Sequence, residues 1–161
     1  MLEIGIRTLS LKKGTRISND YREQMELIKK WMKGKIKSSL KETDSISIYQ
    51  YYSMAPFYCV EARFLRRMKV GSSVMCVKES LENYVAPAHL PRFIKQFLYL
   101  YIKIFLNSLD YIVTVDEKTE MTLRQEGVNN PRFYRIPICE EKEPLVAGLW
   151  MDFYQTIAVS I

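Results

Sequence analysis

Apolar and polar positions change period several times along the chain, and each change predicts an element. Leu2, Ile4, Ile6, Leu9 and Leu11 are apolar with partial alternation, and Lys12-Lys13-Gly14 is a turn signal. A hairpin with its return strand over residues 15–18 is expected there. Asp20 and Glu23 make a capping box, and Tyr21, Met25, Ile28, Met32 and Ile36 recur at helical spacing. Leu27 and Trp31 widen that stripe, so a helix is expected over residues 21–40, with Gly34 as its weak point. The β-formers Ile46, Ile48 and Tyr49 predict a strand over residues 45–52. A helix over 57–68, closed by Val70-Gly71, and a strand over 73–77 follow. Residues 80–91 read as a loop broken by Pro87 and Pro91.

Pro91 then opens a helix at the position that proline favours. Phe93, Ile94, Phe97, Leu98, Leu100, Tyr101, Ile102, Ile104, Phe105 and Leu106 leave only a thin polar stripe at Arg92, Gln96, Tyr99, Lys103 and Asn107. A helix this apolar belongs deep in a core. The sharper reading is a basic, aromatic-rich helix that lies on a membrane surface.

Residues 108–140 carry the clearest pattern. The apolar, β-branched run 110–115 is short enough for a buried strand. Asp116 caps a helix whose first turn holds Glu117 and Glu120, where the dipole favours negative charge. Gly127 stops that helix, Asn129-Asn130-Pro131 turns the chain, and a second strand covers 132–138. Strand, helix, glycine, turn and strand make a βαβ unit, and such units build parallel sheets. The fold class read from the pattern is α/β: an incomplete Rossmann-like domain with a parallel sheet flanked by helices.

At 161 residues, with 48% hydrophobic and 26% charged residues, the chain has a globular composition and suits one domain. The net charge of +6 is uneven: residues 12–41 hold ten basic and three acidic residues, whereas 108–161 hold nine acidic and five basic. A basic first third suits phosphates, acidic lipid or nucleic acid, although a solvated helix face explains it as simply. The basic residues cluster on one expected helix without a nucleic-acid recognition motif, which disfavours a nucleic-acid partner. Cys59, Cys76 and Cys139 are scattered and odd in number, so neither a disulfide framework nor a zinc site is expected, and a cytoplasmic setting is the default. His89 is the single histidine, which removes multi-histidine metal sites.

The stretch 108–140 resembles the end of the N-terminal domain of family-4 GT-B glycosyltransferases. Leu109, Asp110, Ile112, Val113, Val115, Glu117, Thr119, Leu123, Gly127, Val128, Ile136 and Pro137 match that pattern without gaps. Two departures stand out: Asp116 replaces the usual serine, and Ile138-Cys139-Glu140 replaces Asn-Gly-Val. The resemblance extends over roughly 20–137, with the order of elements agreeing and the polar residues differing. Where the family commonly has a histidine after its strand, this chain has Lys78, with Glu79 in the aspartate position. The resemblance implies catalytic roles for Lys78 and Glu79, and substrate contacts for Tyr51, His89 and Asp116. It implies a nucleotide sugar as donor substrate, with neither metal nor separate cofactor. It further implies a division into a glycosyltransferase N-terminal-like domain over 1–144 and a tail over 145–161, in which 156–161 is the first strand of a C-terminal domain. A separately encoded C-terminal domain and a membrane surface are the implied partners, and the chain alone is expected to be inactive. The competing reading is a non-catalytic Rossmann-like binding module that uses its basic surface.

Overall fold

The structure is a computed structural model that describes residues 4–7, 48–52, 54–68, 71–86, 89–137 and 143–160. The elements run β1 (Ile4–Arg7), β2 (Ile48–Tyr51), α1 (Pro56–Arg67), β3 (Ser72–Val77), α2 (Leu81–Val85), α3 (Arg92–Ser108), β4 (Tyr111–Thr114), α4 (Glu117–Gln125), β5 (Phe133–Arg135) and α5 (Glu143–Ser160). The strands form one five-stranded sheet in the order β1-β2-β3-β4-β5. Every neighbouring pair is parallel. The parallel α/β sheet flanked by helices is the one that the sequence pattern predicts.

Side chains alternate across the strands, and the two faces bury different partners. Tyr49, Tyr51, Met75, Val77 and Ile112 point to one core, shared with Tyr58, Cys59 and Ala62 of α1, Leu81 and Val85 of α2, Ile102, Phe105 and Leu106 of α3, and Leu123 of α4. Ile48, Val74, Cys76, Tyr111 and Val113 point the other way and pack against Val146, Trp150, Phe153, Tyr154 and Ile157 of α5. The asymmetry follows from topology. Strands added in one direction by right-handed crossovers put all their crossover helices on the same face. The opposite face is covered by α5, which comes after the last strand.

Local chemistry fixes the βαβ unit. Gly127 has φ of 86°, and its N–H donates to Arg124 O at 3.0 Å while Val128 N–H donates to Leu123 O at 2.9 Å. That pair of bonds closes α4 in a Schellman motif, with Leu123 and Val128 both fully buried beneath it. Asn130, 1% exposed, donates to Leu106 O and Leu109 O at 3.1 and 2.9 Å, which closes the end of α3.

Three expectations change. Ile4–Arg7 is a strand of the parallel sheet, paired with β2, whereas the return strand of the expected hairpin lies outside the described residues. The region read as a loop contains α2, because Ser80 Oγ accepts the Asn83 N–H at 3.1 Å and so caps a short helix. Residues 156–160 are the end of α5 and not a strand. The spacing of Val146, Trp150, Phe153, Tyr154 and Ile157 is helical, and their burial on the sheet overrides the local β preference of Ile157 and Val159. The expected helix over 21–40, the basic segment 12–41 and Cys139 lie outside the described residues.

Candidate functional site

Parallel pairing sends the residues that follow the strands to one edge of the sheet, and open α/β sheets bind ligands outside that edge. The register sets Val77 opposite Thr114, so Lys78 and Glu79 leave β3 beside the point where Asp116 leaves β4. Lys78 and Glu79 are half-buried, and Asp116 is exposed. Asp116 Oδ1 accepts the Thr119 N–H at 2.6 Å and caps α4. Glu117 and Glu120 add two more carboxylates to that first turn. The positive end of the α4 dipole is therefore answered by its own side chains, which makes this terminus a poor cradle for phosphate. Arg135, the last residue of β5, pairs with Glu120 at 2.9 Å and Glu117 at 3.4 Å, and Arg124 also reaches Glu120 at 3.0 Å. Among the described residues the strand order never reverses, so the edge lacks the crevice that a reversal creates.

Tyr51 is a correction. It is fully buried under α1, with its ring 5.6 Å from that of Tyr58, so it belongs to the core and has no surface to offer a sugar. A strand-end tyrosine serves either role, and only the packing of α1 decides. His89 is exposed in the loop before α3. Asp110, one of the residues that carry the resemblance, works at the opposite, amino edge. Its Oδ2 accepts the backbone N–H and the hydroxyl of Ser73 at 2.9 and 2.7 Å, and Arg66 lies 3.7 Å from its Oδ1.

Sequence reasoning passed over a groove of about 550 Å³ between α2 and α3, lined by Glu82, Val85, Arg92, Lys95, Gln96, Tyr99 and Glu126 among others. The polar stripe of α3 was its signal. Much of its polarity is spent internally: Lys95 Nζ donates to Ala86 O at 2.7 Å. The two oxygens of Glu126 accept the Leu81 and Glu82 N–H groups at 2.9 and 3.1 Å. Burial and the nearby Glu126 and Glu82 carboxylates hold the Tyr99 hydroxyl above its ordinary value, so it is a neutral donor.

On the other face of the sheet, Tyr154 donates to Gln50 Oε1 at 2.6 Å, and Gln50 Nε2 donates to Tyr52 OH at 2.5 Å and to Cys76 Sγ at 3.4 Å. Burial pushes both the Cys59 and the Cys76 thiols up to about 12. Neither is a thiolate nucleophile near neutral pH. Among the described residues no group of three or more His, Cys, Asp or Glu side chains is placed to hold a metal ion.

The outer surface of α3 departs most from expectation. Phe93, Phe97, Leu100 and Ile104 are exposed, where a deeply buried helix was expected. Burial reaches only the side of Ile102, Phe105 and Leu106, because a single sheet face covers a single side of a helix. No family model, curated protein or solved structure matches the chain.

Proposed function

We propose that this chain is a Rossmann-like α/β binding module that engages an anionic ligand through the helical layer on its sheet. The observation that carries the reading is the charge of α1 and α3, which pack against each other in that layer, whereas α2 adds Glu82 and α4 adds Glu117 and Glu120. Helices α1 and α3 hold six cationic side chains, Arg63, Arg66, Arg67, Arg92, Lys95 and Lys103, against the single acid Glu61. Cations grouped on one face raise the local concentration of anions and speed their capture, and salt weakens both effects. The test is retention on immobilised heparin, used as a generic polyanion. The wild-type protein is retained, and the double substitution Arg63→Glu with Arg67→Glu elutes at markedly lower salt. Equal elution of the two proteins removes the reading.

A second reading has its own observation. The residues that resemble family-4 GT-B glycosyltransferases fold as β4, α4 and β5, with Lys78, Glu79 and Asp116 at one edge of the sheet. On this reading the chain is the acceptor-side part of a transferase. Lys78 donates to a sugar or phosphate oxygen, Glu79 and Asp116 accept from sugar hydroxyls, and His89 borders the acceptor. Transfer depends on donor positioning and on groups that stabilise the departing diphosphate, which a separately encoded C-terminal domain would supply. Donor turnover on mixing the two, and by neither alone, supports this reading over a non-catalytic module. Lys78→Met then lowers the turnover.

A further inference from the structure

We propose that the outward face of α3 docks this protein on an anionic membrane surface. The inference rests on the reading of the chain as a binding module that uses its basic helices, and it names the ligand. Phe93, Phe97, Leu100 and Ile104 follow one another at spacings of four, three and four residues, so they form a single stripe along the helix. The stripe lies opposite Ile102, Phe105 and Leu106, which face the sheet. Phe93 and Phe97 are 70% and 71% exposed, and Leu100 and Ile104 are 53% exposed each. Scattered exposed apolar residues need no explanation, whereas a contiguous stripe marks an interaction surface. The stripe points away from the sheet, and among the described residues no helix covers it. Phe97 stacks beside Tyr101 with centroids 6.4 Å apart, and the Tyr101 hydroxyl lies 3.4 Å from Pro56 O, to which it donates.

Charge selects the occupant. Helix α3 carries no acidic residue and exposes Arg92, with Lys95 turned to Ala86 O and Lys103 to Gly127, and α1 adds the exposed Arg63 and Arg67 against one glutamate, its Arg66 lying beside Asp110. A second copy docked face to face would set these cations against their own kind. An anionic lipid surface supplies the opposite charge, attracts each nearby Lys or Arg, and takes phenylalanine and leucine into the boundary between headgroups and acyl chains. Among the described residues no helix is long and apolar enough to cross a membrane, so α3 would lie along the surface.

The experiment is sedimentation with vesicles of phosphatidylcholine alone or with about 30% phosphatidylglycerol, enough to give a negative surface potential. The wild-type protein binds the anionic vesicles, binds the neutral ones about tenfold less, and is released by salt. Replacing both Phe93 and Phe97 with serine lowers binding about tenfold with circular dichroism unchanged, because these side chains are already in water. Arg92→Ala lowers it about fivefold. A Phe97→Trp variant shifts its emission to the blue on the same vesicles. Heparin retention without vesicle binding overturns the membrane assignment and leaves the binding-module reading standing, whereas loss of both removes both. Unchanged binding by the double serine variant also overturns it. So does a dimer in analytical ultracentrifugation that the double serine variant dissociates, since the occupant is then a second copy.

Discussion

Asp110 shows how a residue that carries a resemblance can serve the scaffold. Its carboxylate accepts two hydrogen bonds from Ser73 and ties the first turns of β3 and β4 together at the amino edge, away from the ligand edge. Hydrogen bonds to a charged group contribute about 1.5–3 kcal/mol, and removing the acceptor strands the Ser73 N–H. Asp110→Ala is therefore expected to lower unfolding free energy by about 2–3 kcal/mol in a denaturant titration, with ligand binding by the folded fraction unchanged. Cys59 and Cys76 give a residue-scale prediction in pH. Burial holds both thiols near 12 in the folded protein, against an ordinary value of 9.0. A group whose folded value is raised stabilises the native state fully below its unfolded value and loses that contribution as pH rises toward the folded one. Stability should thus decline between about pH 9 and 12, each thiol adding a slope of about 1.4 kcal/mol per pH unit. The Cys59→Ala variant should show a shallower decline than wild type, and parallel curves would refute the assignment.

At the scale of elements, legibility followed the period of the pattern. The strands near Ile48, Val74, Ile112 and Tyr134 and the helices near Ala62, Ile102 and Leu123 were readable, because alternation, caps and glycine stops agreed with one another. Gly127 is the clearest instance: the stop signal in the sequence is a positive φ and a complete Schellman motif in the structure. α2 was missed because a five-residue helix is too short to show a period, and only Ser80 as a cap announced it. The end of α5 was misread because the resemblance implied a strand over 156–161, whereas Val146, Trp150, Phe153, Tyr154 and Ile157 recur at helical spacing and pack on the sheet. The candidate site was less legible than the fold. That Lys78, Glu79 and Asp116 share an edge follows from parallel strands, but the burial of Tyr51 and the exposure of Phe97 depend on which elements pack against which. Composition along α3 described both outcomes equally well, since an apolar helix suits a core or an interface.

At the scale of the whole molecule, the order β1-β2-β3-β4-β5 divides the protein into two unequal halves. One sheet face is buried by four helices, whereas the other depends on α5 for every helical partner in its core among the described residues. Val146, Trp150, Phe153, Tyr154 and Ile157 are all at most 3% exposed. Their rings interlock, with Trp150 and Phe153 5.8 Å apart and Phe153 and Tyr134 4.8 Å apart. Burying a large apolar side chain contributes about 1.5–3 kcal/mol, so these five side chains supply roughly 7–15 kcal/mol. That is the size of the net stability of a typical domain, about 5–15 kcal/mol. Removing α5 would also uncover Ile48, Val74, Tyr111 and Val113 as a contiguous apolar sheet face, a surface prone to association. A chain shortened to residues 1–142 is therefore expected to lose its cooperative thermal transition and its near-ultraviolet circular dichroism, and to associate at micromolar concentration. Adding back a peptide of residues 143–161 should restore part of the signal if α5 docks as a preformed stripe. A shortened chain that melts cooperatively as a monomer would show that the sheet is held from its other face alone.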